Sequence, residues 1–162
     1  MKIVFIILLI IIYANAFSQT DSKAIIGRYK DYFGSSLELK DNSTFNYEWH
    51  FDMSSSWTKG IWRIEKDTIF FKVVIVYDTL ILKNDSVSLI ISNDAQSDKI
   101  YQAYNLNPYM VSGGQNYYTV PEKLYFRKGM LFYFRNGKIF KKRVKGFWSS
   151  KKFPSWYVRE DK

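Results

Sequence analysis

The most informative stretch of the sequence is EKLYFRKGMLFYFRNGKIFKKRV, residues 122–144. It contains Lys128-Gly129 and Asn136-Gly137, and Lys145-Gly146 follows directly, so the three pairs lie eight and nine residues apart. Asn-Gly between apolar segments is a strong hairpin signal, because a type I′ turn needs positive φ at both central residues. The stretch therefore predicts a meander of antiparallel strands. These strands cover residues 122–127, 130–135, 138–144 and 147 onward.

Two-residue turns in this meander would also determine which side chains share a face of the sheet. One face carries apolar residues suited to a core: Leu124, Phe126, Leu131, Tyr133 and Phe140. The other face mixes rings with cations: Tyr125, Arg127, Met130, Phe132, Phe134, Ile139, Lys141 and Arg143. This second face either binds an anionic partner or is covered by another sheet, with its cations at the rim. Moving either turn by one residue would exchange the two faces.

The clearest amphipathic strand is predicted over residues 44–52. Its apolar positions alternate with polar ones, the period expected of a half-buried strand. The apolar set is Phe45, Tyr47, Trp49 and Phe51, and the polar set is Asn46, Glu48, His50 and Asp52. Further strands are predicted over residues 25–32, 36–40, 60–65, 68–77, 79–83, 86–92 and 99–104. Turns are predicted at 41–43, 66–67, 78 and 84–85, and loops at 53–59, 93–98 and 105–121.

These strands predict an all-β fold in a single antiparallel domain. About nine to ten strands in about 145 residues suit either a small barrel or a two-sheet sandwich. Cysteine is absent, so the domain must be stabilised by its core rather than by disulfides. Thirteen Tyr, thirteen Phe and five Trp residues provide the material for that core.

The beginning of the chain has the pattern of a signal peptide. Lys2 precedes an uncharged apolar run at residues 3–13, and Ala14-Asn15-Ala16 supplies the small residues that signal peptidase reads. The run has eleven residues, whereas a membrane-spanning helix needs about twenty. We therefore expect residues 1–16 to be removed, or cleavage after Ser18. Residues 17–162 would then form one domain without a transmembrane span, located in the periplasm, at the cell surface or outside the cell.

The positive charge is concentrated near the end of the chain. Residues 122–162 contain thirteen Lys or Arg against three Asp or Glu, whereas residues 1–121 contain eleven against twelve. Such asymmetry favours a cationic face for an anionic partner. The alternative is that the charge serves solubility alone.

Gly27-Arg28-Tyr29, together with Arg159, resembles an arrangement found in lipocalin-like (calycin-type) barrels, in particular small exported bacterial domains. Those domains open with Gly-x-Trp on the first strand, and a basic residue from the chain's end packs across the ring. In this sequence Tyr29 occupies the tryptophan position, and a second motif of this type occurs at Gly60-Ile61-Trp62. The resemblance implies an up-and-down barrel with an internal cavity, and it names no ligand.

The residue types argue against catalysis and against a metal site. There is no cysteine nucleophile, and a single histidine, His50, with no cysteine cannot assemble a tetrahedral zinc site. His50 shares a face with Glu48 and Asp52, which we interpret as the solvated face of a strand. We therefore predict no catalytic residues, no metal and no cofactor.

Three functions remain open, in order of preference. The first is a non-enzymatic domain that binds a small apolar ligand or an envelope component, with Tyr47 and Trp49 lining the barrel and residues 105–121 near its mouth. The second is a surface module that binds an anionic polysaccharide or lipid headgroup, and less favourably nucleic acid. Its candidate residues are Tyr125, Arg127, Phe132, Lys141 and Arg143. The third is a hydrolase that uses a pair of carboxylates in a cleft.

Overall fold

The computed structural model describes residues 22–93, 99–103 and 113–160, so the expected signal peptide lies outside the described residues. Apart from one short 3-10 helix, Ser22–Ala24, the regular elements of this part are all strands. They are β1 (Gly27–Lys30), β2 (Ser35–Leu39), β3 (Thr44–Phe51), β4 (Ser54–Glu65), β5 (Thr68–Val74), β6 (Tyr77–Ile81), β7 (Val87–Ile91), β8 (Ile100–Gln102), β9 (Lys123–Arg127), β10 (Met130–Arg135), β11 (Lys138–Ile139), β12 (Arg143–Lys145), β13 (Lys152–Pro154) and β14 (Tyr157–Arg159). The all-β prediction is confirmed.

Eight of these strands close into an antiparallel barrel. Their order is β1-β2-β3-β4-β5-β9-β10-β14, and β14 pairs back onto β1. The closing strand places Tyr157 opposite Leu131 of β10 and Arg159 opposite Tyr29 of β1. Of the two architectures that the sequence left open, the structure is thus the barrel.

The remaining strands lie in two excursions from the barrel. Between β5 and β9 the chain forms a small sheet in the order β7-β6-β8, in which β6 and β8 run parallel. Between β10 and β14 it forms β11, which extends the β10 hairpin, and then the β12–β13 hairpin. This second excursion contains most of the basic residues discussed below.

The two predicted type I′ turns are present in the C-terminal meander. Lys128 and Gly129 have φ values of 52° and 75°, and Asn136 and Gly137 have 51° and 71°. Each turn therefore contains two residues with positive φ, as this turn type requires. The resulting register buries Leu124 and Leu131 completely, so the predicted core face of the meander does face inward.

The predicted loop at residues 53–59 is wrong. Asp52 and Met53 form a tight turn, and β4 pairs with β3 from Ser54 onward. The serines are compatible with a strand because hairpin pairing uses backbone groups, and β4 is only partly buried here. The predicted turn at Asp78 is also wrong. Asp78 lies within β6, is 1% exposed, and accepts a hydrogen bond from the Lys99 N–H at 3.1 Å.

The end of the predicted meander also differs from the structure. Instead of one strand over residues 138–144, β11 ends at Ile139 and β12 begins at Arg143. Lys145 pairs with Lys152, so residues 146–151 form a loop instead of a two-residue turn. The reason is tertiary packing of Phe147, whose ring lies 4.2 Å from that of Phe51 on β3 and 5.5 Å from that of Phe33, centroid to centroid.

Arg159, near the end of the chain, pairs with Tyr29 across β1 and β14 and lies beside Gly27. Tyr29 is fully buried, and its hydroxyl donates a hydrogen bond to the Ile25 carbonyl at 2.6 Å. The Arg159 guanidinium donates to the Ala24 carbonyl at 3.0 Å and lies where a Cβ on Gly27 would be only 2.8 Å from it. The barrel is compatible with a lipocalin-like fold.

Candidate functional site

An open cavity of about 680 Å³ lies against the inner face of the barrel. Its wall is mainly aromatic, with Phe33, Trp49, Phe134, Phe140 and Phe147 among the lining residues. Polar atoms form the smaller part of the lining surface, and the residues that supply them include Asp31, Ser35 and two tyrosines. The site therefore combines an apolar wall with a small set of hydrogen-bonding groups.

Strand β3 supplies two of the lining residues, Tyr47 and Trp49. Their side chains lie on the inward face because β3 alternates inward and outward positions, and Tyr47 is only 4% exposed. Both residues were singled out from the sequence as ligand contacts. The structure brings them together in one cavity wall.

Asp31 lies in the loop between β1 and β2 and is held by that loop. Its Oδ1 accepts hydrogen bonds from the N–H groups of Phe33, at 2.9 Å, and Ser35, at 2.8 Å. Burial raises the pKa of the Asp31 carboxyl above its ordinary value, although these hydrogen bonds oppose the rise. The loop thus holds a partly desolvated carboxyl group at the cavity.

Three tyrosine hydroxyls lie close enough to Asp31 for its charge to affect them. The Tyr133 and Tyr157 hydroxyl oxygens are 2.6 Å apart, and the Tyr47 hydroxyl donates to Ser35 Oγ at 3.2 Å. Burial raises the pKa of Tyr47, Tyr133 and Tyr157, and the charge of Asp31 raises each of them further. These tyrosines therefore stay neutral near pH 7 and can both donate and accept hydrogen bonds. We call Asp31, Ser35, Tyr47, Tyr133 and Tyr157 the tyrosine–aspartate cluster.

The segment before β9 contributes to the same cavity. Asn116 and Thr119 are lining residues, and they belong to the stretch 105–121 that the sequence assigned to the mouth. Residues 105–112 of that stretch lie outside the described residues. Arg135 also lines the cavity, and its guanidinium is 5.5 Å from the centroid of the Phe140 ring.

A second depression, of about 870 Å³, lies along residues 135–144. We call it the basic groove, and it is lined by five cations around Phe140. These are Arg135, Lys138, Lys141, Lys142 and Arg143. Within the described part of the chain, none of the five forms an ion pair. The structure thus brings together two of the residues predicted to bind an anion, Lys141 and Arg143.

The other three candidates for that surface are placed differently. Phe132 is 5% exposed, with the Trp156 ring 5.6 Å away and Lys141 Nζ 5.8 Å from its centroid. Tyr125 is its cross-strand partner on β9. Arg127 is exposed at the end of β9 and lines neither the cavity nor the basic groove. Phe132 is thus covered by Trp156, which lies between β13 and β14 and belongs to no second sheet.

Sequence reasoning missed Asp31 as a site residue. It was included in a predicted strand over 25–32, and one Asp before a Gly-containing turn carries no signal of a cavity. Tyr133 and Phe140 were assigned to the core face of the meander, but both line the cavity. The alternation along a strand predicts the direction in which each side chain points. It does not predict whether the space on that side is filled by other side chains.

The His50 row lies on the outer surface. The His50 side chain is 65% exposed, and its Nε2 is 4.0 Å from Glu48 Oε2. Asp52 lies in the β3–β4 turn with a φ of 53°. Within residues 22–93, 99–103 and 113–160, no three His, Cys, Asp or Glu residues are grouped so as to hold a metal ion.

Comparison with known proteins found no matching family model, curated protein or solved structure. Among the described residues, no helix has the length and apolar character needed to cross a membrane. The functional conclusion therefore rests on the chemistry of the cavity and of the basic groove.

Proposed function

We propose that this protein is an exported, lipocalin-like domain that binds a small, mainly apolar ligand or envelope component in its barrel cavity, without catalysing a reaction. The observation that supports this most is the cavity itself. Its volume of about 680 Å³ falls in the usual range of small-molecule sites, roughly 300–1,000 Å³. Such sites typically have apolar walls and a few well-placed polar groups, the composition seen here.

The aromatic wall accounts for affinity in this proposal. Transfer of apolar ligand surface from water to the rings contributes about 25 cal/mol per Å² buried. Trp49 and Phe147 offer flat surfaces at the wall, and flat rings contact planar or aliphatic ligands over a large area. Binding of this kind depends little on salt, because it does not neutralise surface charge.

The test uses Nile red, a neutral dye whose fluorescence rises in apolar surroundings. We expect saturable binding whose Kd changes less than about twofold between low and moderate salt. Replacing Val144, a cavity-lining residue, by Trp should narrow the site and weaken binding at least about tenfold.

The matched control is Val158→Trp, which adds the same ring on β14 at a residue that is 48% exposed. This variant should bind Nile red like the unmodified protein. Equal binding by Val144→Trp and Val158→Trp would contradict the cavity proposal. So would the absence of any saturable signal from a folded protein.

A second candidate function is favoured by the basic groove. Five cations line it without a described ion-pair partner, and Phe140 lies among them. An anionic polysaccharide or lipid headgroup would pair its charges with these groups. Binding would then release counterions and fall steeply as salt rises.

Heparin, an anionic polysaccharide, is the probe for this candidate. We expect the double variant Lys141→Ala with Arg143→Ala to elute from a heparin column at clearly lower salt than the unmodified protein. The control Lys72→Ala with Lys83→Ala removes two exposed cations outside the groove. If the two double variants elute together, only net charge matters and the groove is not a specific site.

A further inference from the structure

Asp31 is the only carboxylate among the described residues that line the cavity. The carboxyl group lies beside aromatic rings, where an unpaired negative charge is costly. Among the described residues, Asp31 forms no ion pair that would offset this cost. The cavity thus contains a carboxylate that forms no ion pair among the described residues, while the lining cation, Arg135, lies over the Phe140 ring.

The loop holds the carboxyl group in one orientation. Both backbone N–H groups, of Phe33 and Ser35, donate to the same oxygen, Oδ1. The Ser35 side chain also forms a hydrogen bond with this carboxyl group. Because each carboxylate oxygen can accept more than one hydrogen bond, the group keeps capacity for a ligand. The orientation is set before a ligand arrives, which lowers the entropic cost of binding.

The neighbouring groups suit a ligand cation. The hydroxyls of Tyr47 and Tyr133 belong to the same cluster and can accept hydrogen bonds from an ammonium group. The indole of Trp49 is the best of the aromatic side chains for a cation–π contact. The one cation among the described lining residues, Arg135, is exposed and lies over Phe140.

We propose that the ligand carries a protonated amine on an apolar body, and that the Asp31 carboxylate binds the amine while the aromatic wall holds the body. This inference rests on the proposed function of the cavity. A neutral ligand would leave the carboxylate unpaired, and an anionic ligand would meet a like charge. A ligand with a protonated amine is the class whose charge compensates that of the Asp31 carboxylate.

Isothermal titration calorimetry of the purified protein at pH 7 tests this with three matched probes. They are phenylbutylamine, phenylbutanol and phenylbutanoate, which share one apolar body and differ in the charge of the end group. The measured quantity is the ratio of the alcohol Kd to the amine Kd. We expect a ratio of at least about ten, because a hydrogen bond to a charged partner is stronger than a neutral one.

Asp31→Asn is the decisive variant, since its amide oxygen can still accept the hydrogen bonds from Phe33 and Ser35 and keep the loop folded. The ratio should then fall to within about threefold of one. Glu48→Gln is the control. This variant removes one negative charge from an outward-facing residue next to Trp49 on β3. It should keep the full ratio of the alcohol Kd to the amine Kd.

The outcomes separate this inference from the proposed function. Equal binding of amine and alcohol by the unmodified protein would overturn the inference and leave the cavity proposal standing. Preference for phenylbutanoate, or an undiminished ratio in Asp31→Asn, would overturn it as well. If no probe and no Nile red binds, the cavity proposal fails and the inference fails with it.

Discussion

At the scale of single residues, Asp31 is the side chain that most clearly indicates a binding cavity instead of a filled core. A carboxylate that is partly desolvated stabilises nothing by itself, because water solvates the charge better than aromatic rings do. The loop compensates only in part, through two backbone hydrogen bonds to Oδ1 and a side-chain hydrogen bond from Ser35. A residue that costs stability and faces a cavity is expected where function requires it.

This argument predicts a pH-dependent effect of Asp31→Asn on stability. Burial raises the folded-state pKa of Asp31 above its ordinary value of 3.8. Between 3.8 and that raised pKa the folded protein binds more protons than the unfolded one, so stability falls as the pH rises through this window. The asparagine variant should lack this fall and be at least as stable as the unmodified protein at pH 7.

Urea unfolding at several pH values from acid to neutral measures this difference. The two proteins should converge in stability at the acidic end, where the carboxyl group is protonated in both the folded and unfolded states. A variant that is clearly less stable than the unmodified protein at pH 7 would mean that the hydrogen bonds to the charged oxygen outweigh its burial.

Tyr29 gives a second prediction at this scale. Its hydroxyl is buried and donates to the Ile25 carbonyl at 2.6 Å, so Tyr29→Phe leaves that carbonyl without its partner. We expect a loss of about 1–3 kcal/mol in the free energy of unfolding. Tyr32→Phe, at a tyrosine that is 50% exposed, should change it by less than about 0.5 kcal/mol. Similar losses in both variants would contradict the role given to the buried hydroxyl.

At the scale of elements, β4 shows why one glycine is needed in the middle of a strand. A Cβ at Gly60 would lie 2.2 Å from the Lys72 carbonyl oxygen on β5 and 2.7 Å from the Phe45 ring on β3. Backbone cannot move aside as a flexible side chain can, so the paired strands would have to separate. The glycine of the second Gly-x-Trp motif therefore serves close packing of the barrel wall.

Gly60→Ala should consequently be among the most destabilising single-methyl changes in the barrel. We expect a loss of at least about 2 kcal/mol, measured by urea or thermal unfolding, since overpacking typically costs about 1–3 kcal/mol. Gly137→Ala is the comparison, because nothing lies within 4 Å of its Cβ position and only its φ of +71° opposes the change. If Gly137→Ala were the more harmful, backbone conformation rather than close packing would dominate.

The strands themselves were predicted with uneven success, for reasons that differ by element. Strand β3 was predicted to within one residue because its alternation is long and regular. The start of β4 was missed because serines pair through their backbone and give no apolar signal. The loop at 146–151 was missed because Phe147 packs against Phe51 on β3, which is distant in sequence.

At the scale of the whole molecule, the cavity and the basic groove share one segment of the chain. Arg135, Phe140 and Val144 line both sites. The excursion between β10 and β14 thus forms one wall of the cavity and the floor of the groove. Salt dependence separates the two proposed activities, because only binding in the groove should weaken steeply with ionic strength.

Export is the remaining prediction at this scale. After secretion by a bacterial host, intact mass and N-terminal sequencing should show a chain that starts at Phe17 or Gln19. Ala14→Leu removes a small residue needed for cleavage after Ala16 and leaves the pair Ala16 and Ser18 intact, so it should shift cleavage to Gln19. A full-length chain retained in the host would contradict export.

Local patterns in the sequence were sufficient for the all-β class, the inward face of β3 and the two type I′ turns. Alternation and Asn-Gly act over a few neighbouring residues, so their effect can be predicted without the rest of the chain. Barrel closure was not predictable in this way, because β14 is only three residues long and is defined by its pairing with β1 and β10. The cavity was not predictable for the same reason, because Asp31, Trp49 and Phe147 come together in it from distant parts of the chain. Local periodicity determines the direction in which a side chain points. Only long-range packing determines which other residues it contacts.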